Sequence, residues 1–350
     1  YQPAFPENNL FNSIWEKVEF EVQGNTVRTE GNYAIRCYFD AICNYDESEA
    51  RAMEISEGFF PTAEGEDITH GPVGLTGDAS TKSANAHAHP SIARRQAQLT
   101  RNSEEFTLLG RLRGDLADQG KMLIPGTDLR IKLTKNKPEF VCRAKDVEPV
   151  LEIVNMTLKV KRAILQDSVE AIYRSALHAR KLASYPIHRK TVSQRIVPKG
   201  TNITMDRIHS GSIPKQMVIG LKKNEAASGS LTLNTFYFES MDIQECWLTY
   251  DAQDYPTKHY RTDFRKSFNS RKNIGAYNEL RKVIGPLDAI EGYPYLSYSR
   301  WLNGYTIFAF DMTADESAFS GSYYRTQPRH GDVTLELRLR SEPTVTMSAV

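Results

Sequence analysis

Apolar and polar side chains alternate with a period of two at several places in this chain. That constrains the fold more than any other feature, because only a strand sends successive side chains to opposite faces. In Val18-Glu19-Phe20-Glu21-Val22-Gln23 every second residue is apolar, and Gly24-Asn25 follows as a turn, the pattern of a half-buried strand entering a hairpin. Leu129-Arg130-Ile131-Lys132-Leu133 repeats the pattern. So do Val154-Asn155-Met156-Thr157-Leu158-Lys159-Val160 and Val333-Thr334-Leu335-Glu336-Leu337-Arg338-Leu339-Arg340. Each is predicted to lay one face on a core and the other in water, as antiparallel sheets do. Met217-Val218-Ile219-Gly220-Leu221 and Tyr305-Thr306-Ile307-Phe308-Ala309-Phe310 are more continuously apolar, as expected of strands covered on both faces.

Helical patterns are few. Residues 33–44 place Ile35, Tyr38, Phe39 and Ile42 on one stripe. A second helix is predicted to begin at Asp167 as a cap, with Glu170 three residues later. Val169, Ile172, Tyr173 and Ala176 share its face, and Tyr185-Pro186 ends it. It lies between two strand-rich halves of similar length and reads as the connector between domains. Many short strands, turn clusters such as Pro125-Gly126 and Pro198-Lys199-Gly200, and helices confined to connections predict an all-β protein of sandwiches rather than alternating βαβ units. Residues 61–103, rich in small and polar residues, read as a long surface loop. Residues 251–301 read as a second polar excursion, whose tyrosines, in Gly292-Tyr293-Pro294-Tyr295-Leu296-Ser297-Tyr298, suit contacts with other copies of the chain.

At 350 residues the chain is long enough for two domains, and no stretch approaches the roughly 18 unbroken apolar residues of a membrane-spanning helix. No leader pattern opens it, and Cys37, Cys43, Cys142 and Cys246 lack CxxC spacing, so reduced cysteines of an intracellular, unsecreted protein are expected. The N-x-T tripeptides at Asn155 and Asn202 are then expected to be unmodified. The formal charge of +1 argues against a protein that wraps nucleic acid by neutralising phosphates. Residues 1–70 nevertheless carry fourteen acids against four bases, and residues 258–282 eight bases against two acids. Such patches suit complementary contact between neighbouring copies.

A search for chemistry yields little. Two imidazoles one residue apart on a strand project the same way, so His87-Ala88-His89 is the candidate metal site. Cupin-type jelly rolls, however, pair such a motif with an upstream glycine and a downstream glutamate, and here Thr81 and Arg94 stand near those places. The only Gly-Lys, Gly120-Lys121, precedes Met122 and completes no phosphate loop; GxSxG, HExxH and GxGxxG are absent. The acid pairs Asp115/Asp118, Asp251/Asp254 and Asp311/Asp315 read as turn and cap carboxylates. No catalytic, cofactor-binding or metal-binding residue is assigned, and no enzyme is expected.

Several blocks together resemble the double jelly-roll major capsid proteins of Polinton (Maverick) elements and the adintovirus-like viruses related to them. The first runs Asn8-Asn9-Leu10-Phe11-Asn12-Ser13-Ile14-Trp15-Glu16-Lys17-Val18-Glu19-Phe20, continued by Tyr38-Phe39-Asp40-Ala41-Ile42-Cys43-Asn44-Tyr45. Gly110-Arg111-Leu112-Arg113-Gly114-Asp115-Leu116 and Leu123-Ile124-Pro125-Gly126-Thr127-Asp128-Leu129-Arg130-Ile131-Lys132-Leu133 follow, then Tyr185-Pro186-Ile187 and Ile213-Pro214-Lys215-Gln216-Met217-Val218-Ile219-Gly220-Leu221. The last is Gly304-Tyr305-Thr306-Ile307-Phe308-Ala309-Phe310-Asp311-Met312-Thr313-Ala314-Asp315. Their order and spacing cover nearly the whole chain.

The resemblance implies two consecutive jelly-roll β-sandwiches with a few short connecting helices: a first over residues 1–166, a connecting helix over 167–186, and a second over 187–350. It implies a structural subunit without cofactor. Three copies would form a pseudo-hexagonal capsomer of an icosahedral virion, meeting neighbouring capsomers and minor or penton proteins and enclosing double-stranded DNA without reading its sequence. The chain opens at Tyr1 without the stretch that precedes the Asn8-Asn9 block in the family, so a trimmed chain, or a first jelly roll that draws strands from elsewhere, is expected. The alternatives are a minor or penton capsid protein with one jelly roll, and a metal-dependent or carbohydrate-binding β-sandwich.

Overall fold

The structure, a computed structural model, describes residues 4–27, 31–61, 90–100, 103–144, 147–264, 272–285, 294–313, 317–318 and 329–350. Among them the chain forms mostly strands, in antiparallel sheets, with a few short helices.

The sequence after residue 194 supplies eight strands: β6 (Arg195–Val197), β7 (Asn202–Ser212), β8 (Gln216–Lys223), β9 (Ile243–Tyr250), β10 (Gln253–Arg261), β11 (Ile307–Asp311), β12 (His330–Leu339) and β13 (Met347–Ala349). They form two four-stranded sheets, ordered β10-β9-β12-β7 and β11-β8-β13-β6. The pairing is nested: β9 meets β10, β8 meets β11, β7 meets β12 and β6 meets β13, all antiparallel. The predicted alternation holds in β12, where Val333, Leu335, Leu337 and Leu339 are buried and the residues between them are not. These side chains share one core with Ile203 and Met205 of β7, Leu248 of β9, and Ile219, Leu221, Ile307 and Met347 of the other sheet. β8 and β11 are buried more continuously, as their sequences predict. The outer face of β11 is covered by a helix over Ile274–Ile284, numbered α8 because the short α7 (Asn224–Ser228) follows β8. Gly220 in β8 is required by packing, since a Cβ there would stand 2.5 Å from the Phe238 ring.

The first half is built differently. β1 (Ala4–Pro6) pairs with β5 (Cys142–Ala144), and β2 (Trp15–Val22) lies between β3 (Asn25–Val27) and β4 (Leu129–Lys135). Val22 faces Asn25 across a two-residue turn, Gln23-Gly24, with φ of 51° and 76°, the type I′ geometry that suits strand twist. The turn thus sits one residue earlier than Gly24-Asn25. Helix α1 (Leu10–Ser13) precedes β2. Helix α2 (Tyr33–Asn44) occupies its predicted span, and its Ile35, Tyr38 and Ile42 enter the core of the second half, Tyr38 stacking on Phe236 at 4.1 Å. Helix α3 (Glu47–Glu57) starts with a capping box between Asp46 and Glu49.

Four expectations need correction. The stretch 61–103 is not loop throughout: Pro90–Leu99 forms helix α4, with Ile92, Arg95 and Leu99 buried, so its small polar composition hid a stripe at helical spacing opened by proline. The excursion 251–301 contains β10, α8 and a short helix over Tyr298–Leu302. Its tyrosines serve the chain's own core: Tyr295 is fully buried, its hydroxyl 3.2 Å from that of Tyr305, and Tyr277 donates to the Leu296 carbonyl at 2.7 Å. Tyr293 lies outside the described residues. The connecting helix spans only Asp167–His178; it is called α6, after α5 (Pro138–Val141). Asp167 lies in its first turn rather than capping it, and Glu170 pairs with Arg174 at 2.6 Å. Finally, residues 154–160 form no strand and belong to no sheet.

Candidate functional site

The feature that the fold leaves unexplained is the chain between β5 and β6. No residue from Val147 to Ile196 is buried. Fifteen of the twenty-two exposed large hydrophobic side chains among the described residues fall between Val147 and Ile187. Val150 is 89% exposed, Val154 72%, Leu158 58% and Ile164 99%. Two elements make up this arm. Residues 150–160 keep the alternation Val154, Met156, Leu158, Val160 against Asn155, Thr157 and Lys159 but have no ladder partner. Helix α6 is amphipathic, with Val169, Ile172, Tyr173 and Leu177 exposed along one side. Large apolar side chains left exposed in such number along one stretch of chain point to an interaction surface.

Both ends of the arm are tied to the body by polar contacts. At its start the Lys135 ammonium donates to the Leu151 carbonyl. At its end Lys121 Nζ donates to the Ser184 carbonyl at 2.8 Å, and the Ile124 amide donates to the Tyr185 hydroxyl at 3.0 Å. Lys190 Nζ reaches Asp40 at 2.7 Å. Beside it Arg36 and Asp115, both buried, pair at 2.9 Å, and Asp115 also accepts from the Lys190 amide at 3.5 Å. The arm is therefore held at its roots and open along its length.

Other candidates have structural employment. Asp115 and Asp118 flank Arg36, at 2.9 and 3.7 Å, rather than each other's chemistry. Asp254 accepts from Thr249 and contacts His259 Nε2 at 2.9 Å, while Asp251 sits in the left-handed turn at φ 52°. Asp311 accepts from the Thr313 amide and hydroxyl; Asp315 lies outside the described residues. So do His87 and His89. Among the described residues, no three His, Cys, Asp or Glu side chains are grouped to hold a metal ion. Burial pushes the thiols of Cys37 and Cys43 up to about 12 and that of Cys142 up to about 11, and raises Cys246 as well, which keeps all four protonated and unreactive.

A groove between Glu47, Arg51, Glu54, Arg94 and Arg300 is charged, but its charges are matched internally: Arg300 to Glu47 at 2.6 Å and Arg94 to Glu54 at 2.8 Å. The Arg300 side chain beside it holds Glu47 below the usual carboxylate range. Glu7, buried, pairs with Arg143 at 2.9 Å. Three acids of residues 1–70 are thus answered by arginines from later in the same chain. None of these arginines belongs to the basic stretch 258–282, where His259 meets Asp254, Arg261 meets Glu245, Lys282 meets Glu279 and Asp263 meets Arg340. The arm itself, residues 147–192, holds eight bases against four acids.

No protein-family model matches this chain. It is similar to the uncharacterized protein F54H12.2 of Caenorhabditis elegans, 20% identical over 315 residues that cover 88% of this chain and 68% of that protein. At that coverage the likeness takes in both halves. Among the described residues no helix is long and apolar enough to cross a membrane.

Proposed function

We propose that this chain is a structural subunit, a major capsid protein whose two halves are consecutive jelly rolls and which assembles as a trimer of pseudo-hexagonal outline. The observation that carries the reading is the nested pairing in the second half, first strand with last, second with seventh, third with sixth and fourth with fifth, which is how a hairpin rolled into two facing sheets is connected. The exposed arm supports it further, because a subunit whose work is assembly needs surface that is finished only by its neighbours. Three of the blocks that resemble the Polinton family fall at structural elements: Asn8-Asn9 before α1, residues 38–44 on α2, and residues 304–313 around β11. On this reading three subunits tile an icosahedral shell around double-stranded DNA, together with minor or penton proteins, in the virion of a virus or virus-like transposon. The subunit has no catalytic step and no cofactor.

Sedimentation of the purified protein over a range of concentrations, with electron microscopy of the product, tests this. Trimers with a six-sided outline are expected; a monodisperse monomer at every concentration overturns the proposal.

A further inference from the structure

Resting on the self-assembly part of that reading, we infer that residues 150–160 of one copy add as a strand to the open edge of β4 in a second copy. The two surfaces are complementary and each subunit carries one of each. β4 pairs with β2 on one side, and among the described residues nothing pairs with its other edge. An unpaired edge presents a row of free backbone donors and acceptors that a further strand fills. The small sheet also needs cover, since Ile131 and Leu133 of β4 pack on the Trp15, Val18 and Phe20 cluster yet remain only half-buried.

Register and charge select the match. In antiparallel pairing with Met156 opposite Ile131, Val154 falls opposite Leu133 and Leu158 opposite Leu129, which continues the apolar face. The other face then sets Thr157 against Arg130 and Asn155 against Lys132, with no like charges opposed. Glu152 meets Lys135, an attractive pair. A slip of one residue turns Val154 and Met156 outward and sets Asn155 opposite Ile131, so the apolar pattern fixes the register. Within a single copy the segment leaves this edge: Leu151 is held by the Lys135 side chain, and residues 152–166 are exposed and outside any sheet.

Disulfide trapping tests the inference. Directly opposed residues lie within disulfide reach, and three native cysteines are buried with Cys43 half-buried, so engineered thiols dominate exchange. Two differently tagged copies are co-expressed, one with Ile131→Cys and the other with Met156→Cys, and oxidised mildly. A covalent pair bearing both tags is expected. With Met156→Asp and Leu158→Asp together, the association constant is expected to fall tenfold or more at an unchanged melting temperature, because both side chains are exposed in the isolated subunit. A chain carrying both cysteines that closes only on itself overturns the inference, the edge then being filled by its own arm. An oligomer that survives the double aspartate variant and yields no mixed conjugate also overturns it, while leaving the assembly reading intact. A monomer at every concentration overturns both.

Discussion

The second half and the arm are made of similar sequence and meet opposite fates. Val333-Thr334-Leu335-Glu336-Leu337 and Val154-Asn155-Met156-Thr157-Leu158 share one alternation, yet Leu335 is fully buried in β12 and Leu158 is 58% exposed. The difference lies in neighbours. β12 sits between β9 and β7 and faces a second sheet across a common core. Residues 154–160 follow the last strand of a half in which the described residues form five strands, split between a pair and a triplet. An alternating segment is half a specification, and it becomes structure when an edge and a facing layer are within reach. The second half builds its core together with α2, whereas residues 154–160 pair with no strand among the described residues.

The sharpest way to break this comparison is to attack the well-buried side. Trp301 is fully buried, its indole donates to the Ile307 carbonyl at 2.7 Å, and it packs on Phe308 and Phe264. Trp301→Ala is expected to cost about 3–5 kcal/mol by transfer and cavity terms. The denaturant midpoint of the purified chain measures it. A loss below about 1 kcal/mol would mean that this core is not what holds the second half together.

A smaller effect tests the seam between the halves. Lys222 of β8 is fully buried, donates to the Thr235 carbonyl at 3.2 Å, and is pushed down to about 7 by desolvation, partly opposed by Glu7. The unfolded chain keeps this lysine protonated to about pH 10.4. Between pH 7 and 10 the unfolded state therefore binds the extra proton, and stability rises with pH; at or below pH 7 both states are protonated and the burial cost is at its full value. From pH 7 to 9 the wild type is expected to gain about 2–3 kcal/mol from this group, at up to about 1.4 kcal/mol per pH unit. Lys222→Met is expected to remove that slope, as urea titrations at several pH values would show. An identical slope in the variant would assign the lysine an ordinary environment.

Much of this architecture was legible. The strands at residues 18–22, 129–133 and 333–339, the doubly covered strands of β8 and β11, and the span of α2 follow from periodicity alone, because each has one dominant environment. What stayed hidden has physical causes. α4 is short, and its buried Arg95 breaks the apolar stripe that would have announced it. The tyrosines of 295–305 are amphipathic, and composition cannot say whether a hydroxyl finds a partner inside the chain or across an interface. The exposure of the arm has the deepest reason: period two reports that one face wants cover and carries no information about whether anything supplies it.

Within the first half, the hairpin offers a test of about 1 kcal/mol. Gly24 holds φ 76° with nothing within 4 Å of where a Cβ would stand, so Gly24→Ala meets no clash and costs only the left-handed conformation, about 1–2 kcal/mol. A larger loss would show that the β2–β3 turn limits the stability of the whole sheet, making the first half the weaker of the two.

The smallest expected effect is the most telling. Leu335→Ala and Leu158→Ala delete the same atoms from two strands with the same pattern. The first is expected to cost about 2–5 kcal/mol, as a buried leucine does. The second, measured in dilute solution where the subunit stands alone, is expected to stay within about 0.5 kcal/mol, as for a surface site with no packing to lose. Denaturant curves of both variants against the parent chain, repeated at rising protein concentration, separate the outcomes. If Leu158→Ala remains neutral when dilute and becomes destabilising as concentration rises, the arm gains its core from another molecule. If it costs several kcal/mol even when dilute, the arm packs within its own chain, and the contrast between the two regions disappears.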